Sequence, residues 1–274
     1  MSTQLPVMKI VGTGNDFIFI DARNGLPGAF AQLARAQIVR KICDRHFGLG
    51  SDGVVFVEQT NGKYHWDFYN TDGSNAEMCG NATRCFGRWA QLKLHLASIE
   101  FTTTAGPVEV KTEGSNMSSY LDFVSAKPRP MRVTAGGCAI DVYWIDTGVP
   151  HFVVRVDDIQ AARTQLDMIR ELRFHKDGGP RGANVTFLKT LGPAAFETVT
   201  YERGVEDFTL SCGTGVIAAA AVGLSADGAT QLTADVTTPG GRLSVRFEDD
   251  FDGVTLSGPA VKVYETELSQ EFFT

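Results

Sequence analysis

Cys79-Gly80-Asn81-Ala82-Thr83 and, about 133 residues downstream, Cys212-Gly213-Thr214-Gly215-Val216 are one pattern written twice, and their pairing decides how the rest of the chain is read. Three further pairs keep the register. Thr13-Gly14-Asn15-Asp16-Phe17-Ile18 lies over Thr147-Gly148-Val149-Pro150-His151-Phe152, and Gly50-Ser51-Asp52-Gly53-Val54-Val55-Phe56 over Gly182-Ala183-Asn184-Val185-Thr186-Phe187. Thr103-Thr104-Ala105-Gly106 lies over Thr237-Thr238-Pro239-Gly240. Gly and Thr are common, so one match means little; four in order at nearly one offset mark an internal duplication.

Outward from those landmarks both halves follow one plan. In the first, strands are predicted over Val54–Glu58, Tyr64–Tyr69, Val108–Lys111 and Tyr120–Val124, with a helix over Ala82–Leu96. In the second, strands are predicted over Phe152–Val156, Val185–Leu188, Phe196–Tyr201, Leu243–Phe247 and Val254–Leu256, with an Ala-rich helix over Val216–Leu224. Ala29–Cys43 and Ile159–Phe174 are further helices. Lys127-Pro128-Arg129-Pro130 marks a boundary, since two prolines resist helix and sheet alike. The expected fold is α+β, with an N-terminal domain over 1–128 and a C-terminal domain over 129–274. Two related domains facing one cleft would bring equivalent residues to a ligand from opposite sides.

Composition narrows the function. With 274 residues, 43% hydrophobic and 21% charged, the chain reads as globular. A net charge of −7 and a pI near 5.3, without a basic patch, argue against nucleic acid as a partner. No run of eighteen apolar residues exists, so no membrane span is expected. The start Met1-Ser2-Thr3-Gln4-Leu5-Pro6 lacks a secretory pattern, so a cytoplasmic location with reduced thiols is expected. Cys43, Cys79, Cys85, Cys138 and Cys212 form no CxxC, and the histidines add no ligand spacing, so neither a metal nor a cofactor is called for.

Each cysteine motif joins a strand-like approach (Glu77-Met78, Leu210-Ser211) to a helix start. Backbone N–H groups there lack intrahelical partners and, with the helix dipole, favour an anion and a thiolate. A lone cysteine is more often core packing, the reading kept for Cys43, Cys85 and Cys138. Two at equivalent repeat positions point instead to an acid/base pair, a disulfide being the remaining alternative. Direct epimerisation needs such a pair: one group removes the α-proton and another returns one to the opposite face. The carbon acid is weaker than a thiol by roughly ten pKa units, about 14 kcal/mol. Donors aimed at the substrate carboxylate offset much of that barrier.

From about Lys9 to Tyr264 the chain resembles the diaminopimelate epimerase family. The matching motifs are Gly12-Thr13-Gly14-Asn15-Asp16-Phe17, Tyr69-Asn70-Thr71-Asp72-Gly73-Ser74, Ala76-Glu77-Met78-Cys79-Gly80-Asn81 and Arg84-Cys85-Phe86. Later come Pro150-His151, Asn184-Val185, Glu202-Arg203-Gly204, Cys212-Gly213-Thr214-Gly215 and Pro239-Gly240-Gly241. The resemblance implies two domains, each a β-barrel-like sheet around a central helix, and allows the last strand to return to the first domain. It implies Cys79 and Cys212 as the catalytic pair, with Gly80, Asn81, Gly213 and Thr214 at the reacting carboxylate and amine. Asn15, Asn70, Asn184, Glu202 and Arg203 match positions that bind the distal end of the substrate.

His151 is read either as a residue tuning a thiol or positioning substrate, or as a satisfied structural histidine, and Asp52 and Asp72 as turn formers. Arg203 outside the resemblance would be a surface ion pair with Glu202. The chain departs from the family at Val149, where an Asn is usual, at Ala82-Thr83, and at Glu206-Asp207-Phe208. The expected activity is conversion of LL- to meso-2,6-diaminopimelate in lysine and peptidoglycan-precursor synthesis. The alternatives are a racemase of another amino acid on the same fold and a non-catalytic amino-acid-binding protein. A homodimer is the expected assembly, though no residue pattern carries it.

Overall fold

The computed structural model describes residues 4–226, 232–248 and 251–273. Contacts gather into two compact units: the chain up to Ser119 together with Pro259 onward, and Tyr120–Gly258. In the first unit β1 (Gln4–Gly12) runs antiparallel to β2 (Asn15–Asp21), and β2 runs parallel to β3 (Gly53–Thr60). β3 pairs antiparallel with β4 (Lys63–Asn70), β4 parallel with β5 (Ser98–Thr103), and β5 antiparallel with β6 (Gly106–Glu113). Between β2 and β3 comes α1 (Arg35–Cys43), between β4 and β5 comes α2 (Gly80–Leu94), and β7 (Asn116–Ser125) leads the chain out of the unit.

The second unit repeats this order of parallel and antiparallel pairings. β8 (Arg129–Ala135) and β9 (Cys138–Asp146) are antiparallel, as are β9 and β10 (Pro150–Arg155); β10 is parallel to β11 (Asn184–Gly192). β11 is antiparallel to β12 (Ala195–Glu202), the two-residue β13 (Asp207–Phe208) pairs with the end of β12, and β12 is parallel to β14 (Thr233–Thr238). β14 is antiparallel to β15 (Gly241–Phe247), which is antiparallel to β16 (Asp252–Pro259). α3 (Ile159–Arg163) and α4 (Leu166–Arg173) follow β10, and α5 (Gly213–Ala226) precedes β14. β17 (Val261–Ser269) runs antiparallel along β1, the place that β8 takes beside β9.

The fold is thus α+β, built from a duplication, with each sheet curled round one helix. α2 touches β1, β2, β5, β6 and β17, and α5 touches β9 through β12 as well as β14 and β15. The two helices fill their barrels differently. Around α2 the filling is aromatic: Phe86 stacks on Phe101 with centroids 3.9 Å apart, Trp66 meets Phe86 edge-on and Trp89 tilts against it. α5 is mostly Ala, Val and Gly and packs closely on its strands; a Cβ on Gly223 would sit 2.3 Å from the Phe196 ring. The shared turn survives in detail, one residue off the register laid out from sequence: Thr103 donates to the Gly106 carbonyl at 2.8 Å and Thr238, not Thr237, to that of Gly241 at 3.0 Å.

Several local expectations are corrected. Ala29–Cys43 is a 3-10 turn (Gly28–Gln32) and α1 separated by extended Leu33 and Ala34, because Phe30 turns into the core against Phe273. Ile159–Phe174 breaks at Thr164, whose hydroxyl takes the Ala161 carbonyl that a continuing helix would use. Arg129-Pro130 opens a strand, an end position where a missing N–H is tolerated. Glu77-Met78 and Leu210-Ser211 are irregular, and Cys138 is exposed at the start of β9 after the Gly136-Gly137 turn. Among the described residues no helix is long and apolar enough to cross a membrane.

Candidate functional site

Each repeated cysteine supplies the carbonyl that opens a central helix: Thr83 N–H donates to Cys79 and Val216 N–H to Cys212, both at 2.9 Å. Cys79 is extended (φ −149°, ψ 118°), the backbone state of an N-cap. In α5 the thiol itself caps, accepting from Gly215 N–H at 3.4 Å. Both thiols are partly exposed, whereas Cys43 and Cys85 are buried and burial pushes their thiols up.

Beneath Cys79 lies a chain of polar groups. Arg84 is fully buried; its Nη1 donates to the Gly80 carbonyl (2.9 Å) and its Nη2 to Asn81 Oδ1 (2.6 Å) and Thr13 Oγ1 (2.7 Å). These acceptors are neutral. Burial lowers the Arg84 pKa to about 10, which leaves it charged at neutral pH. A guanidinium only donates, so Asn81 turns its oxygen toward Arg84 and its Nδ2 toward Asn15 Oδ1. Asn15 Nδ2 in turn donates to Asp52 (3.0 Å). Asp52 and Asp16 share Arg45 at 2.7 and 3.0 Å, and Lys9 holds Asp16 at 2.7 Å. Burial would raise the Asp16 pKa, but Arg45 and Lys9 hold it low. Asp52 is therefore more than a turn former: it fixes the Asn15 amide. Asn70, at the end of β4, stays outside this chain and donates to Ser74 Oγ within its own turn, where Asp72 accepts from Ser74 as expected.

In the second unit the corresponding chain is uncharged at its centre. His151 is fully buried; Nδ1 meets Thr186 Oγ1 at 2.9 Å, and Nε2 meets Thr214 Oγ1 at 3.0 Å and Asn184 Nδ2 at 3.2 Å. Arg203 N–H donates to Asn184 Oδ1 (2.7 Å), which orients that amide so that its NH₂ faces the imidazole. Nε2 is then the acceptor and Nδ1 carries the proton, donated to Thr186, whose hydroxyl meets Thr200 at 3.1 Å. Burial, with Arg203 nearby, pulls the His151 pKa down to about 3, so the ring is neutral. Thr214 Oγ1 is also 3.3 Å from Cys212 Sγ, which links thiol to imidazole through one hydroxyl. Glu202 accepts from Thr209, and Arg203 Nη1 donates to the Gly182 carbonyl at 3.3 Å.

The structure thus joins Asn15 with Asn81, and His151 with Asn184, Arg203, Thr214 and Cys212. The sequence reading omits Thr13, Arg84, Thr186, Thr200 and the role of Arg45. Arg84 leaves a trace, since it follows Gly80 and Asn81 at helical spacing and so shares their buried face. Among the described residues no three His, Cys, Asp or Glu side chains converge as a metal site requires.

A family model described as diaminopimelate epimerase matches residues 7–125 and 143–263. Diaminopimelate epimerase of Aquifex aeolicus is 36% identical over 273 residues, covering 96% of this chain and 97% of the relative. That of Methanocella arvoryzae is 36% identical over 285 residues, covering 98% and 99%. Among solved structures, a phenazine biosynthesis protein of the PhzF family from Enterococcus faecalis superposes with a TM-score of 0.70 at 15% identity, covering 96% of this chain and 98% of that one. A hydroxyproline epimerase from Agrobacterium vitis gives 0.68 at 14%, covering 98% and 93%. At those identities the likeness speaks for the fold.

Proposed function

The chain belongs to the diaminopimelate epimerase family and is an isomerase; from that premise we propose that it interconverts LL- and meso-2,6-diaminopimelate without a cofactor, with Cys79 and Cys212 as the acid/base pair. The observation behind this reading is the repeated placement of a partly exposed thiol at the start of a buried helix, once in each unit. One sulfur, as thiolate, removes the α-proton; the other, as thiol, gives its proton to the opposite face of the carbon. Each turnover therefore exchanges the protonation states of the two sulfurs. First-turn N–H groups at Gly80, Asn81, Gly213 and Thr214 take the carboxylate on which negative charge grows. Asn15, Asn70, Asn184, Glu202 and Arg203 take the distal ammonium and carboxylate.

In this reading His151 acts on Cys212 through Thr214. With Cys212 as a thiol, the Thr214 hydroxyl donates to Nε2 and accepts from sulfur. With Cys212 as a thiolate, the hydroxyl turns to donate to sulfur, leaving Nε2 to Asn184. Both states fit the 3.0 and 3.3 Å separations. Lysine and peptidoglycan-precursor synthesis, a cytoplasmic location and a homodimeric assembly complete the proposal.

A second reading, a racemase of another amino acid, rests on Val149, which puts an apolar side chain where an amide is expected. Incubation in D₂O separates the two. Deuterium should enter Cα of diaminopimelate; entry into another amino acid and not into diaminopimelate refutes the proposed substrate.

A further inference from the structure

Two features of the second unit have no part in proton transfer. Glu206 sits at φ 57°, a left-handed backbone state that side chains bearing a Cβ adopt at a cost. Arg173, which ends α4, is a cation with only 5% of its surface exposed. They meet each other. Arg173 grips Glu206 Oε1 through both Nε (3.1 Å) and Nη2 (2.7 Å), while its Nη1 donates to the Arg181 carbonyl at 2.8 Å.

Each end of this pair fastens a different loop. On one side the Glu206 carboxylate accepts from Gly204 N–H at 3.0 Å, and Glu206 N–H donates to the Glu202 carbonyl at 2.8 Å. That closes the turn bearing Glu202 and Arg203. On the other side Gly182 lies against Arg173 so tightly that a Cβ there would sit 2.1 Å from the Arg173 carbonyl oxygen. The Gly182 carbonyl receives Arg203 Nη1, and two residues on, Asn184 receives Arg203 N–H. One guanidinium therefore ties the loop leading into Asn184 to the turn that follows Glu202 and begins with Arg203. Burial would raise the Glu206 pKa, yet the Gly204 N–H and Arg173 hold it low, so the pair is ionised at neutral pH.

We propose that the Arg173–Glu206 pair is a positioning clamp that sets affinity for the distal amino-acid end of the substrate and leaves the proton-transfer rate alone. The inference rests on the reading that Asn184, Glu202 and Arg203 take that end. A glycine would adopt the backbone at position 206 with less strain, but would supply no carboxylate to bridge the loops.

The test compares Glu206→Gln, Arg173→Lys and Arg203→Met for kcat and KM with diaminopimelate, alongside thermal unfolding. The Glu206 side chain is 40% exposed, so Glu206→Gln leaves the core intact. Glu206→Gln should raise KM about ten-fold with kcat within about two-fold, the signature of lost uniform binding. Arg173→Lys, which keeps the charge and loses the fork, should fall between. An unchanged KM in Glu206→Gln beside a raised KM in Arg203→Met overturns the clamp. An unchanged KM in Arg203→Met overturns the distal-site reading beneath it. Lowered thermal stability with unchanged KM in both clamp variants makes the pair merely structural, and a fall in kcat alone would make it catalytic; either overturns the proposal.

Discussion

The starts of α2 and α5 share a backbone and differ in charge. Each is opened by a cysteine carbonyl and followed by a glycine. Below Cys79, however, lies a permanent cation, Arg84, holding a row of amides; below Cys212 lies a neutral imidazole between threonine hydroxyls. Duplication preserved what the main chain supplies, namely helix-end donors and close approach, and left side chains to set the electrostatics. Arg84 offers a field that does not change with the state of its thiol. Thr214 offers a hydroxyl that can follow it. In the proposed reaction such inequality suits LL- and meso-diaminopimelate, which are diastereomers and not mirror images.

The severest way to break this comparison is to remove the thiols. Cys79→Ser and Cys212→Ser should each slow α-deuteration and epimerisation by roughly 10²–10⁴, about 3–5 kcal/mol in barrier, despite their unequal surroundings. Normal turnover in either variant contradicts the paired role. Next, Arg84→Met should cost about 3 kcal/mol in urea unfolding, because Asn81, Thr13 and the Gly80 carbonyl each lose a charged donor, whereas Thr186→Val should cost about 1–2 kcal/mol. Equal losses would mean that the two networks do not differ in weight.

A pH-dependent effect has a definite sign. His151 has a folded pKa near 3 against 6.5 when free, since burial opposes charging and Arg203 adds to it. Above pH 6.5 the site is neutral in both states and stability is unaffected. As pH falls below 6.5 the unfolded chain takes the proton first, and stability declines by about 1.4 kcal/mol per pH unit until pH nears 3. The difference between wild type and His151→Gln isolates this slope from the carboxylates; a zero difference between about pH 6 and 4 contradicts a buried neutral ring. Smallest is Val149→Asn. In the repeat Asn15 lies over Val149, so this change makes the halves alike there. It should lower KM by about five-fold, near 1 kcal/mol, with kcat unchanged.

Much of this was legible in the residues. The duplication was, because turn glycines and helix starts are local features that survive divergence; Thr103 and Thr238 even make the same hydrogen bond. Strands such as β17 were not, since Val261 and Val263 are exposed and the run lacks the alternation of a half-buried strand. The two broken helices were missed because Phe30 and Thr164 act through packing and side-chain hydrogen bonding, which periodicity does not register. At the candidate site the repeated cysteines at the helix starts were legible, while the side chains packed behind them were not. Arg173 and Glu206 stand thirty-three residues apart, and no spacing rule joins them.

The pairing of β1 with β17 reaches into the making of the protein. Tyr120–Gly258 is synthesised before Val261–Ser269, so the sequence of the internal unit is complete before the strand that closes the other is made. The unit that contains β1 keeps one open ladder until Val261–Ser269 is made. The half begun first is finished last, and deleting Val261–Ser269 would leave the β1 ladder a bare edge.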